Sequence, residues 1–247
     1  MSSSLFHTLN ISRQDILSRM IDLDVTSNNL ANANTAGYKA SRSNFQEMLN
    51  KQLTEGSLLK TTQMLTSQGS LGVSTNPLDW AIQGEGFFSV TLPDGTIGYT
   101  RDGQFSLDSD QKLVTASGYP LVWDGTITDG MTNIGINSEG VVTALDAKGV
   151  SVKVGTVKLT RFPNPSGVSG YGENIWLESD VSGAPLTDVA GAENFGTIGG
   201  YKVEKSNVDL SQEMTHLITL QRSFSMSIKA FQQTDTMITE AINLRKA

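Results

Sequence analysis

The amino-acid sequence predicts an α+β fold in which long N- and C-terminal α-helices pair as a coiled coil and flank a central all-β domain. Three observations carry that prediction. Apolar residues recur at heptad spacing close to the N-terminus. They do so again, with better occupancy, near the C-terminus. Between about Ser70 and Gly200 the texture changes to Gly and β-branched residues in short runs split by turn signals. The implied organisation is a helical assembly domain built from residues 1–38 and 206–247, a connector over 39–69, and the β domain over 70–205.

The N-terminal helix is read from Leu5 to Leu30, where neither Gly nor Pro interrupts the chain. Leu9, Ile16, Leu23 and Leu30 recur every seven residues, and Phe6, Arg13, Met20 and Ser27 interleave with them. One column is strongly apolar and the other weak, as in an a/d stripe. Asp22 and Asp24 fall outside it, where solvated groups belong. Asn28, Asn29, Asn32 and Asn34 then crowd the helix end. Asn is a poor helix former that bonds backbone groups, and Gly37 supplies the positive φ that ends a helix. Gln46 to Gln68 is polar and weakly periodic, and reads equally as helix or extended connector.

In the middle, strands are expected at Ala81–Ile82, Phe87–Thr91, Ile97–Thr100, Gln104–Leu107, Leu113–Thr115, Leu121–Trp123, Val141–Leu145, Val150–Phe162, Asn174–Glu178 and Tyr201–Lys205. Pro93-Asp94-Gly95 is a hairpin turn, since Pro presets φ and Gly accepts positive φ. Asn164 to Gly172 and Gly183 to Gly200 read as loops. The C-terminal helix runs from about Asp209 to Leu244, with Ser206 or Asn207 as N-cap. Its stripe is Leu210, Met214, Leu217, Gln221, Phe224, Ile228, Phe231, Asp235, Ile238 and Ile242. At 1.5 Å per residue it extends roughly 50 Å, too long to stand without a partner.

Composition narrows the function. Eighteen basic and 25 acidic side chains leave a net charge of −7 with no basic stripe, so a nucleic-acid partner is not expected. There is no cysteine, which removes disulfides, thiolate nucleophiles and Cys-based metal sites. No apolar run reaches bilayer-spanning length, so membrane insertion is not expected, and residues 1–11 lack the pattern of a cleavable signal.

Catalytic and cofactor motifs are equally scarce. His7 and His216 each sit beside a stripe position in different helices and read as polar flanks. No G-x-S-x-G elbow occurs. Gly84-Glu85-Gly86 lacks the third glycine and following helix of a dinucleotide loop, and reads as a tight bend. Asp108-Ser109-Asp110 opens like a calcium loop but has Lys112 at the fifth position and no glutamate at the twelfth. No catalytic residue, cofactor or metal is expected.

Several segments resemble those of the bacterial flagellar rod and hook protein family. They are Asn28 to Lys39 (NNLANANTAGYK), Leu78 to Phe88 (LDWAIQGEGFF), Tyr99 to Phe105 (YTRDGQF), Leu113 to Gly118 (LVTASG), Gly172 to Ile175 (GENI) and Ser182 to Pro185 (SGAP). Ser206-Asn207-Val208-Asp209 and Leu220-Gln221-Arg222-Ser223-Phe224 complete the set, in the family's order along almost the whole chain. The motif positions singled out are Asn28, Asn29, Leu30, Asn32, Thr35, Gly37, Tyr38, Asp79, Gly84, Gly86, Phe87, Phe88, Tyr99, Arg101 and Gly103. Length and the GENI and SGAP segments resemble a rod protein more than the longer hook subunit. The connector Lys51 to Gln68 looks shorter than the distal rod protein usually carries. Proximal rod, distal rod and a less specialised rod paralogue stay open, with a distal-like type favoured.

The resemblance implies a structural subunit that self-assembles into a helical axial tube transmitting motor torque to the hook. Its partners would be further copies, other rod subunits, the hook subunit and the flagellar type III export apparatus. Its place would be the basal-body rod in the periplasmic space, reached without signal cleavage, and its rod subunits have no enzymatic activity or cofactor. The helix stripes would carry assembly, through Leu9, Ile16, Met20, Leu23 and Leu30 at one end and Leu210, Met214, Leu217, Phe224, Ile228, Phe231, Ile238 and Ile242 at the other. Leu17, Ile21, Ile218 and Leu220 lie off the seam, available to neighbouring subunits. Three other readings compete: a hook-type subunit, a secreted β-rich adhesin with a coiled-coil stalk, and a wall-cleaving hydrolase using Asp79, Glu85 or Asp102.

Overall fold

The computed structural model of the chain describes residues 2–45, 60–128, 130–146 and 148–246. They form two compact units, one from residues 1–31, 41–63 and 208–247, the other from 32–40 and 64–207.

The first unit contains helix α1 (Ser2–Ala31), helix α2 (Leu210–Lys246) and the paired strands Ser41–Phe45 and Lys60–Met64. The ambiguous stretch from Gln46 is therefore extended at residues 60–64, while 46–59 lie outside the described residues. Asp209 caps α2, not Ser206 or Asn207: its Oδ1 accepts from the amides of Ser211 (2.9 Å) and Gln212 (3.1 Å). Threonine hydroxyls at 215, 219, 234, 236 and 239 bond back to carbonyls one turn earlier, so a Thr-rich helix leaves those groups satisfied.

The two helices touch, but not as the expected coiled coil. A coiled coil buries apolar knobs from both columns of each stripe. Here Met20, Leu210 and Met214 of the expected stripe are exposed, and so are Arg13, Ser27, Gln221 and Asp235. Among the described residues of both helices, Leu220 is the sole buried apolar side chain. Ile16, Leu23, Leu30, Leu217, Phe224, Ile228, Phe231 and Ile238 are half-buried, and the side chains of Leu9 and Ile242 lie outside the described residues. In α2 the inward second column is Glu213, Leu220, Ser227 and Thr234, one position from the column chosen by hydrophobicity. Polar groups take the inward places because they bond one another. The Ser227 hydroxyl donates to Asp15 (2.5 Å) and Asn29 Nδ2 to Glu213 (3.3 Å), contacts that run antiparallel. Asp22, expected in solvent, accepts from the Ser43 hydroxyl, whereas Asp24 is exposed. Among the described residues no helix is long and apolar enough to cross a membrane.

The second unit is all β. One four-stranded antiparallel sheet runs Ser169–Gly172, Ile175–Leu177, Ile97–Thr100, Phe88–Thr91. Another runs Thr132–Ile136, Val141–Leu145, Ser151–Thr156, Asp124–Gly125. Antiparallel pairs join Trp80–Gln83 to Thr197–Gly200, Leu71–Val73 to Lys202–Glu204, Lys158–Arg161 to Leu186–Val189 and Ser106–Leu107 to Leu113–Val114. The turn at Pro93-Asp94-Gly95 forms as expected, with Gly95 at φ +82 and its amide bonded to the Leu92 carbonyl. Trp80, Ile82, Phe88, Phe105, Leu113, Val142 and Leu159 make the main core, and Phe87, Tyr99, Phe162 and Trp176 a second cluster.

Three strands fall where loops were expected: Ser169–Gly172, Leu186–Val189 and Thr197–Gly200. Two are Gly-rich, with little intrinsic strand preference: Ser169–Gly172 closes a local hairpin with Ile175–Leu177, and Thr197–Gly200 takes its ladder from the distant Trp80–Gln83. The expected strand Val150–Phe162 is divided at Val157, where the chain changes partner from Val141–Leu145 to Leu186–Val189. Leu121–Trp123 contributes only an isolated bridge, between Leu121 and Val90.

Candidate functional site

Within the second unit the family-like segments meet where the chain enters, at Asn32, and leaves, at Asn207. Thr35 bonds Asn32 through both amide and hydroxyl, turning the chain after α1. Gly37 then takes φ +65 six residues beyond the helix end, so it turns the strand-bound chain rather than capping the helix. Its amide donates to the Glu204 carbonyl (2.7 Å), and a Cβ there would overlap the backbone of Arg101 and Asp102. Tyr38 offers its carbonyl to the Asn207 amide. Asn207 answers for an absent strand: its Oδ1 accepts from Ala40 (2.7 Å) and its Nδ2 donates to the carbonyls of Leu65 (3.1 Å) and Ser67 (2.9 Å).

The centre of this junction is charged and buried. Lys39 Nζ donates to Glu204 Oε1 at 2.5 Å and to the Ser67 carbonyl at 2.8 Å. Arg101 reaches Glu204 Oε2 at 3.4 Å and the Gly84 carbonyl at 2.9 Å, with its guanidinium 5.2 Å from the centre of the Phe87 ring. The Gly69 amide also donates to Glu204 (3.0 Å). Burial pulls the Lys39 ammonium and the Arg101 guanidinium below their ordinary pKa values, and the bonds to Glu204 oppose that pull.

The remaining motif positions brace this group. Asp79 accepts from Ser74 (2.6 Å) and Asn76 (2.9 Å), fixing the turn that delivers Trp80 into the core. Gly103 receives the Trp80 amide on its carbonyl (2.9 Å), and a Cβ on it would overlap the Trp80 carbonyl. Gly86 turns at φ +136 against Leu159, placing Phe87 in the second aromatic cluster and Phe88 in the main core. Tyr99 stands edge-on to Phe162 at 4.8 Å. Asn28, Asn29 and Leu30 belong to the first unit. There Asn29 is buried and bonds both backbone groups of Ser41, at 2.9 Å each, while Asn28 is exposed and Leu30 half-buried.

This arrangement binds backbone to backbone. The carboxylates considered for hydrolysis are engaged otherwise: Asp79 as above, Glu85 with Arg161, and Asp102 with the Gln104 amide. Burial raises the Asp102 pKa, helped by the Asp79 charge. Among the described residues no cluster of three or more His, Asp or Glu is placed to hold a metal. His216 is exposed on α2, and the side chain of His7 lies outside the described residues. Glu204 went unselected in the sequence because a glutamate within a short strand carries no mark of its partner. The signals within reach were Lys39 closing one motif and Arg101 centred in another, two cations in family-like segments with no acid assigned to them.

Three family models match the chain: the flagella basal body rod protein over residues 19–39, the flagellar hook protein FlgE/F/G D1 domain over 81–144, and the flagellar basal body rod FlgEFG protein C-terminal over 201–244. The flagellar basal-body rod protein FlgG of Buchnera aphidicola subsp. Acyrthosiphon pisum is 34% identical over 92% of this chain and 95% of its own length. The FlgG proteins of Borreliella burgdorferi and Bacillus subtilis are each 34% identical over 91% of this chain and 93% of theirs. With the matched segments spread from α1 to α2 and relatives 34% identical over more than nine-tenths of its length, the chain belongs to the flagellar basal-body rod family.

Proposed function

We propose that this chain is a structural subunit of the flagellar basal-body rod, without enzymatic activity, that self-assembles into a helical axial tube transmitting torque to the hook. Its relatives are named as basal-body rod proteins, which supports a place in the basal body among other rod and hook components. The observation that carries the assembly step is the outward face of the helices. Leu17 and Met20 on α1, and Leu210, Met214, Ile218, Met226 and Met237 on α2, are large apolar side chains left exposed. Covering a side chain of this kind is worth roughly 1.5–3 kcal/mol. Repeating one heterologous contact by a rotation that does not close yields an open filament. In this reading residues 1–38 and 206–247 are the assembly domain, 70–205 form an outer layer that sets lateral contacts, and the chain crosses to the periplasmic rod through the flagellar export apparatus.

The test is sedimentation of purified protein under polymerising conditions, for wild type and for Met214→Asp combined with Met226→Asp. Wild type is expected to form sedimentable filaments, while the double variant keeps its helical circular dichroism and stays in the supernatant. A double variant that polymerises like wild type would remove the helix face from the mechanism.

A further inference from the structure

Beside the Lys39–Glu204–Arg101 group lies a cavity of about 80 Å³ that the rod reading leaves unused. A single water needs roughly 10–15 Å³ of such space, so the cavity holds a group several times larger. Its walls carry three cations, Lys39, Arg101 and Arg161, against one carboxylate, Glu85, and Thr66 adds a hydroxyl. Counting Glu204 behind the wall, positive charges still outnumber negative ones by one. Arg101 is 6% exposed, and its Nε–H is buried without any acceptor. Glu204 and the Gly84 carbonyl hold the Arg101 Nη atoms in place, so its guanidinium charge is fixed in the cavity wall. Arg161 is partly exposed on the rim, holding Glu85 at 3.2 Å through a single nitrogen.

We propose that this cavity binds a small oxyanion, a carboxylate or phosphate group, seated between Arg101 and Arg161 with Lys39 adding charge. Guanidinium groups match the planar or tetrahedral oxygens of such anions, and charge-assisted bonds are the strong ones. Two sources offer the same chemistry. One is a free anion; the other is an acidic side chain of a second copy, in a chain with 25 acidic residues. The second source rests on the assembly reading above, whereas the anion site does not.

Calorimetric titration of the purified full chain with inorganic phosphate, at ionic strength held constant with chloride, tests it. Saturable binding is expected, with acetate competing. Arg161→Gln, which alters only the rim, is expected to bind phosphate about tenfold more weakly, the equivalent of one charge-assisted hydrogen bond. Arg101→Lys should lose binding also; if its circular dichroism shows that it does not fold, Arg161→Gln decides alone. No saturable binding, or equal binding by Arg161→Gln, overturns the proposal. Filaments that bind phosphate as tightly as subunits assign the site to a free anion. Phosphate that slows filament growth at its binding concentration, with Arg161→Gln slow in the same way, assigns it to a neighbour's carboxylate.

Discussion

Lys39 and Glu204, 165 positions apart in sequence, form an ion pair whose side chains are 2% and 1% exposed. One precedes the first strands of the chain and the other ends the last strand before α2, so the pair clasps the entry of the β unit to its exit. A buried pair of this kind is poor evidence of net stabilisation, since desolvation consumes much of the attraction. What it imposes is a penalty on being half made.

Glu204→Gln therefore leaves two buried cations, Lys39 and Arg101, without a counter-charge. Breaking a buried pair from one side costs about 3–5 kcal/mol. Lys39→Met should cost less, because Glu204 keeps Arg101 and the Gly69 amide. Urea unfolding followed by tryptophan fluorescence, which reports Trp80 and Trp176 in the β unit, measures the ordering.

Gly37 and Gly118 separate two reasons for glycine. Both lie at positive φ, +65 and +86, where a Cβ costs about 1–2 kcal/mol. At Gly118 nothing stands within 4 Å of that Cβ, whereas at Gly37 it would overlap the Arg101–Asp102 backbone. Gly118→Ala should show the backbone cost alone. Gly37→Ala should exceed it by more than 1 kcal/mol in the same urea titration, the excess coming from displaced chain.

These positions also show how far sequence reasoning reached. Gly37, Gly84, Arg101 and Phe87 could be singled out only through the family-like segments that hold them, and Gly37, expected to end the helix, instead turns the chain six residues beyond it. Both long helices were legible from period and from the lack of breakers. Their register was not, because hydrophobicity chose Met214 and Gln221, whereas the inward column is Glu213, Leu220, Ser227 and Thr234. Glu213 and Ser227 gain their inward places through Asn29 and Asp15, partners some two hundred residues away that no local pattern reveals. The strand Thr197–Gly200 was missed for the same reason: Gly199 and Gly200 have no strand preference until they meet Ala81 and Trp80.

Asp102 gives a pH signature. Burial first, and the Asp79 charge after it, raise its folded pKa above the ordinary 3.8. The folded state then binds the proton more readily than the unfolded state, so the ionised group weakens folding at neutral pH. That loss is recovered as pH falls through the raised value, and it is gone below about 3.8. Asp102→Asn keeps the acceptor used by the Gln104 amide without the charge. It should be more stable than wild type at pH 7, with the difference shrinking to zero across that acidic window when both are unfolded by denaturant.

Leu220 and Met214 test the corrected helix register. Leu220 is 7% exposed and Met214 is 47% exposed, although hydrophobic spacing favours Met214 for the seam. Truncating a buried leucine removes its transfer energy and leaves a cavity, about 2–5 kcal/mol together, with the low end apt for a seam this polar. Truncating an exposed methionine changes subunit stability by no more than about 0.5 kcal/mol. Thermal unfolding followed by helical circular dichroism should therefore show a large loss for Leu220→Ala and almost none for Met214→Ala. If the proposed assembly is right, the order should reverse in filament formation, because the half of Met214 left uncovered in the subunit is what a neighbouring copy would bury. A larger stability loss for Met214→Ala would place the seam through Met214 and return that face to the interior of the subunit.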